Sequence, residues 1–227
     1  MNSLVRSINH AVPECEGVAI TLKVFDDHSD PACIERMQAI LAGCACPTEL
    51  IHLEVTGNGP SIGEVYRHAK VHATDVIYLV EDDYLHDVPA VREMIESYAR
   101  LADLFGGDIV LFPSDRPGTY RHVEPTQLLL GSHRHWRRLG RTTFTSVTSA
   151  NLLNRYWERY IALAQYGIDP DVTEATTIHP IYEEVPCLAP VPSLAVHFQQ
   201  LDEISPFVDW RQWWADAAPE GEAAPSR

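Results

Sequence analysis

Five apolar residues, Val76-Ile77-Tyr78-Leu79-Val80, run directly into three acids, Glu81-Asp82-Asp83. A run this short, rich in β-branched and aromatic side chains, predicts a strand buried on both faces. Such a strand can release three carboxylates only beyond its carboxyl end. Ligands of open parallel sheets collect at that end. Hard cations such as Mg²⁺ and Mn²⁺ take carboxylate oxygens there and keep water positions for substrate phosphates. Taken alone, the triplet reads equally well as a solvated acidic turn.

A second strand-like run repeats the arrangement. Val18 to Phe25 ends in Asp26-Asp27-His28-Ser29-Asp30, and Pro31 to Leu41 then reads as a helix, with Ser29 or Asp30 as cap and Pro31 at its first position. The run from Leu50 to Val55 stops at the turn Gly57-Asn58-Gly59-Pro60. Ser61, with Glu64 three residues on, predicts a capping box for a helix through Ala73. Strand, helix, strand, helix, strand in alternation argues for an α/β fold with a mostly parallel sheet flanked by helices.

Together these segments resemble family-2 glycosyltransferases with the GT-A fold. Asp26 to Asp30 resembles their DDGSxD segment, the Asn58-Gly59 turn their NxG loop, and Glu81-Asp82-Asp83 falls in the place of their DxD motif. The resemblance covers the chain to about Pro89. It implies that Asp26 or Asp27 contacts the base or ribose of a nucleotide-diphosphate sugar, with Asn58 and Asp82 on the same ligand. It also implies that Asp83, with Glu81, holds Mn²⁺ or Mg²⁺ against the diphosphate, a Lewis-acid role. Here the motif reads Glu-Asp-Asp, with Glu81 and Asp83 in its outer positions. Leu4, Val5, Ile8 and Ala11 have helical spacing, so residues 2 to 11 match the family's first helix. The strand that normally precedes it has no counterpart, which implies either an earlier start or a sheet closed in another way.

The second half is read more coarsely. Pro89 to Ala102 is an amphipathic helix, Asp108 to Phe112 a strand, Thr142 to Ala150 a strand and Asn151 to Gln165 a helix. Asp115, Arg116 and Tyr120 follow a strand and are candidates for an acceptor-side wall, or a plain surface turn. The segment His133-Arg134-His135-Trp136-Arg137-Arg138, with Arg141, is a basic island in a chain of formal net charge −15. Arg137 and Arg138 suit diphosphate through their planar heads, or salt bridges to the acidic loops. So acidic a chain argues against a nucleic-acid partner.

Asp169 to Glu174 reads as a helix start. Inverting members of the family often carry their catalytic base at such a point, and the resemblance implies Asp171 in that role, with Asp169 and Glu174 as rivals. Acids also favour helix starts through the dipole alone. The family often supplies a late histidine to the metal, and His197, ending the apolar segment from Val191, is the candidate. His68 and His72 read as a solvated helix face. Leu201 to Trp214, rich in aromatics, predicts a final helix or lid, with an oligomer contact as the alternative. The chain from Ala215 predicts a disordered tail.

The 227 residues, 45% hydrophobic, suit one globular domain over residues 1–214. There is no secretory signal and no spanning apolar run. The five cysteines form no framework, and Cys44-Ala45-Cys46 reads as reduced and structural. The expected compartment is the cytoplasm. The expected activity is a metal-dependent, inverting glycosyl transfer to an acceptor hydroxyl of a glycan, lipid or small molecule. A non-catalytic nucleotide- or sugar-binding module and a nucleotidyl or phosphoryl transferase are the alternatives.

Overall fold

The computed structural model describes residues 1–121, 125–199 and 201–218. Its helices are α1 (Asn2–Ala11), α2 (Pro31–Ala42), α3 (Asn58–His72), α4 (Ala90–Phe105), α5 (Ala150–Arg155), α6 (Trp157–Ala162) and α7 (Trp210–Ala217). Its strands are β1 (Leu22–Asp26), β2 (Thr48–His52), β3 (Val76–Leu79), β4 (Tyr84–His86), β5 (Val110–Leu111), β6 (Leu128–Leu130), β7 (His135–Leu139), β8 (Ser146–Ser149), β9 (Cys187–Val191) and β10 (Ala195–His197).

The main sheet has six strands in the order β3-β8-β5-β9-β7-β6 and is mixed, with β5 and β9 as its parallel pair. β1 and β2 form a separate parallel pair, and β4 and β10 a separate antiparallel pair. The expected mostly parallel sheet is therefore corrected, because β7 and β8 run back against their neighbours. β3 is also not the doubly buried strand expected. It is a sheet edge, with Val76 42% exposed and Leu79 buried.

Helices cover both faces. α1 and α4 bring Leu4, Ile8, Met94 and Leu101 onto Leu111, Trp136 and Leu188. On the other face α3, α5 and α6 bring Tyr66, Leu153 and Tyr160 onto Leu79, Val110 and Cys187. β1 lies between the same layers: Leu22 packs with the α1 side, while Phe25 meets His68 of α3 at 5.1 Å. β1 and β3 thus share both coverings without sharing a ladder. A third cluster packs α7, through Trp210 and Ala217, on Leu85 of β4 and Val196 of β10.

Several boundaries differ from expectation. Asp30 caps α2, accepting the Cys33 amide at 2.8 Å. α3 starts earlier than expected, at Asn58 after Gly57, so Ser61 lies inside it, and no side chain caps it. Gly57 has φ of +101°, the left-handed side that glycine tolerates. A Cβ at Gly59 would lie 2.5 Å from the carbonyl oxygens of Ala164 and Tyr166, so that turn is glycine-rich to let two backbones meet. The expected helix 151–165 breaks at Tyr156 into α5 and α6. The last helix runs through Ala217, past the expected start of the tail, and residues 219–227 lie outside the described residues. No helix among the described residues is long and apolar enough to cross a membrane.

Candidate metal centre

Beyond β3 the chain passes through Val80 to Glu81, which is anchored to the neighbouring strand's approach. Thr145, fully buried just before β8, accepts the Glu81 amide at 3.1 Å and donates its hydroxyl to Glu81 Oε2 at 2.9 Å. The chain then turns through Asp82 and Asp83 into β4. Antiparallel pairing sets His197 of β10 opposite Tyr84. Their rings stack at 4.9 Å with 14° between planes, and the Phe198 amide donates to the Asp83 carbonyl at 3.0 Å. His197 Nε2 consequently lies 2.7 Å from Asp83 Oδ2. The Tyr84 hydroxyl is tied to Thr143 Oγ1 at 3.1 Å.

Glu81, Asp83 and His197 each offer a ligand atom, all within 4.8 Å of one another. Two carboxylates and an imidazole form a donor set that suits Mn²⁺ or Mg²⁺. Asp83 Oδ1 is buried with no hydrogen-bond partner, an orphan acceptor that a cation would satisfy. Burial pushes the Glu81 carboxyl up, the Thr145 hydrogen bond opposes this, and the Asp83 charge adds to the rise. A site that resists holding its own negative charge is one a cation relieves. The residues fit the metal.

Asp82 is exposed and departs from the cluster; its charge acts on the Met1 amine, favouring the protonated form that burial disfavours. Of the three rival acids, Asp169 and Asp171 are exposed, and Glu174 is half-buried. Glu174 is also the one whose charge reaches Glu81 and Tyr66. The helix expected at Asp171 does not form. Residues 169–177 make successive turns in which the Thr173 amide goes to Thr176 Oγ1 and the Thr177 hydroxyl to the Thr173 carbonyl, the competition that keeps threonines from propagating a helix.

The first acidic loop divides its labour. Asp26 is buried at the end of β1 and accepts from the Ser29 amide at 3.3 Å and His52 Nδ1 at 3.1 Å. Burial pushes its carboxyl up, but those hydrogen bonds outweigh it and the net shift is downward. It lines an open cavity of about 440 Å³ with His28, Ser29, Ile34 and His52. Asp27 ties the loop together. It accepts from His28 at 2.9 Å, from the Gly57 amide at 2.7 Å and from the Ser61 hydroxyl at 3.1 Å, stapling its loop to the start of α3. This bond accounts for Ser61, which sequence alone assigns to a cap. Asn58 is exposed at the first position of α3.

Arg137 and Arg138 are not brought to the acids. They lie on β7, four strand spacings from β3, or roughly 19 Å. A polar cavity of about 140 Å³ does adjoin His197, with Asp115, Arg116, Thr143, Glu203 and Ser205 among its walls, so the acceptor-side candidates Asp115 and Arg116 are beside the cluster. Sequence reasoning missed Tyr84 and Thr145. Tyr84 directly adjoins the acid triplet, a local signal, whereas nothing local marks Thr145. No family model, no curated protein and no solved structure matches the chain.

Proposed function

We propose that the chain is a metal-dependent glycosyltransferase of GT-A-like architecture that takes a nucleotide-diphosphate sugar. The observation that carries this reading is the convergence of Glu81, Asp83 and His197, two segments 114 residues apart, around an orphaned carboxylate oxygen. Mn²⁺ or Mg²⁺ held there supplies neutralisation of a departing diphosphate. Asp26, lining the open cavity between β1 and α2, takes the nucleoside, an expectation its buried, ionised carboxylate supports. Glu174, half-buried and within electrostatic reach of Glu81, is a better base than Asp171 for accepting the proton of an acceptor hydroxyl.

A second reading, nucleotide binding without turnover, draws support from the separation of the β1–β2 pair from β3, since a shared donor pocket would have to bridge two unjoined ladders. The test is release of nucleoside diphosphate from UDP-, GDP-, dTDP- and CDP-sugars with Mn²⁺. Glu174→Gln should lose turnover and keep nucleotide binding, and Asp171→Asn should keep both. Binding without release in the wild-type chain would favour the second reading.

A further inference from the structure

The far edge of the large sheet carries a surface that the acidic site does not use. β6 closes the sheet there, and its pairing with β7 sets Leu128 beside Arg137 and Leu130 beside His135, on the face opposite the buried Trp136. Leu128 is 60% exposed and Leu130 54%. Tyr120 and Phe207 are exposed too and meet edge to face at 5.6 Å, with the Arg137 guanidinium 4.7 Å from the Tyr120 ring centre. Arginines frame these apolar groups. Arg100 reaches from α4 to the Leu130 carbonyl, and Arg121 and Arg141 are exposed.

Three of the neighbouring acids are occupied, while Asp202, exposed, and Glu203, a wall of the cavity beside His197, precede Phe207. Glu93 accepts the His133 and Arg134 amides, Glu96 is bonded by Arg92 and Ser132, and Asp115 receives the Tyr120 hydroxyl. That last bond makes the surface continuous with the cavity beside His197, of which Asp115 is a wall.

Exposed leucines beside arginines suit a partner that is apolar and anionic at once. A second copy would set arginines against arginines, and a polyanion alone would leave the leucines in water. We propose that this edge docks on the phosphate-bearing face of an anionic lipid bilayer. Leu128, Leu130 and Phe207 enter the headgroup layer and the arginines meet lipid phosphate. On the glycosyltransferase reading, on which this last step rests, the acceptor is then a membrane-held one. The docking itself does not depend on that reading.

The test is flotation of the full chain with vesicles of phosphatidylcholine alone or mixed with phosphatidylglycerol. Binding is expected to the anionic vesicles only and to weaken with salt. Arg121→Gln should lower it about fivefold. Leu128→Glu combined with Leu130→Glu should lower it at least about tenfold, with circular dichroism reporting that each variant is folded. Arg159→Glu, on α6, should bind as the wild type does. Asp83→Ala should also bind unchanged, which separates failure of docking from failure of the metal-site reading. No binding, equal binding to neutral vesicles, or wild-type binding by the double leucine variant would overturn the proposal. So would a dimer in light scattering that the double variant breaks while vesicles stay unbound.

Discussion

Tyr84 and His197 face each other across the short β4–β10 ladder with rings stacked at 4.9 Å, and that stack holds the imidazole 2.7 Å from Asp83 Oδ2. Tyr84 is therefore a positioning residue for a candidate metal ligand, acting through its ring rather than its hydroxyl. Tyr84→Phe should keep Mn²⁺ affinity near the wild-type value, and Tyr84→Leu should weaken it about tenfold, the usual cost of disturbing a ligand's support. Titration of Mn²⁺ followed by electron paramagnetic resonance compares them. Equal affinities in the two variants would remove the ring from the account.

Glu81 sets a pH dependence of definite sign. Its carboxyl is raised by burial, against the Thr145 hydrogen bond and with help from Asp83. A group raised in the folded state contributes stability below its ordinary value of 4.5, and that contribution is lost as pH climbs through the raised value. The metal-free chain should lose stability across that window, and Glu81→Gln should flatten the slope. A cation needs the ionised form, so Mn²⁺ should stabilise the chain more at about pH 7.5 than at about pH 5. Thermal melts across pH read both effects, and parallel curves for wild type and variant would contradict them.

A second group with ligand-like spacing, Glu93, Glu96 and His133, has a structural role. Buried Glu93 accepts from Ser97 Oγ at 2.7 Å, from two turn amides at 2.7 and 3.1 Å and from the Trp136 indole at 3.3 Å. Glu93→Ala would leave those donors unpaired in the core and should cost about 3 kcal/mol in urea denaturation. Asp83→Ala removes an acid whose one side-chain partner is His197, with its other oxygen unpartnered, and should cost far less without metal. Glu96→Gln should leave Mn²⁺ binding intact. Mn²⁺ affinity that falls with Glu96→Gln would assign the metal to the wrong cluster here.

Gly59 should tolerate no side chain. Its missing Cβ is the space occupied by the Ala164 and Tyr166 carbonyls, which are backbone and cannot rotate away. Gly59→Ala should destabilise the chain by about 2 kcal/mol or more, measured as a shift in the urea midpoint with unchanged slope. A neutral substitution would mean that the contact between α3 and residues 163–165 yields easily.

The amino-terminal half was legible because its signals are local. Helical spacing placed α1 at residues 2–11, and proline with an acidic cap placed α2. Apolar runs located β1 and β3, together with the acids at their ends. Sheet order was not legible. The return of β8 against β3 and β5, and of β7 against β9, depends on long-range pairings that leave no periodic trace. The basic island around Trp136, which reads as a diphosphate surface or a source of salt bridges, hid a strand, β7, whose tryptophan is fully buried beside Ser97 and Glu93. In the candidate site, Glu81, Asp83 and His197 were named from sequence, and the structure gathers them. The bonds from Asp27 to Gly57 and Ser61 were not legible, because those partners lie 30 and 34 residues away.

The central claim is that the acids at the end of β3 and His197 bind a divalent cation in order to bind a nucleotide-diphosphate sugar. The most direct test is the melting temperature of the purified chain with UDP-, GDP-, dTDP- or CDP-sugar, each with and without Mn²⁺, for wild type and Asp83→Ala. A ligand held by the native state alone raises that temperature by mass action. The account predicts a rise with one nucleotide family that requires Mn²⁺ and disappears in Asp83→Ala. A rise that is independent of Mn²⁺, or that survives in Asp83→Ala, would contradict it, as would no rise with any of the four.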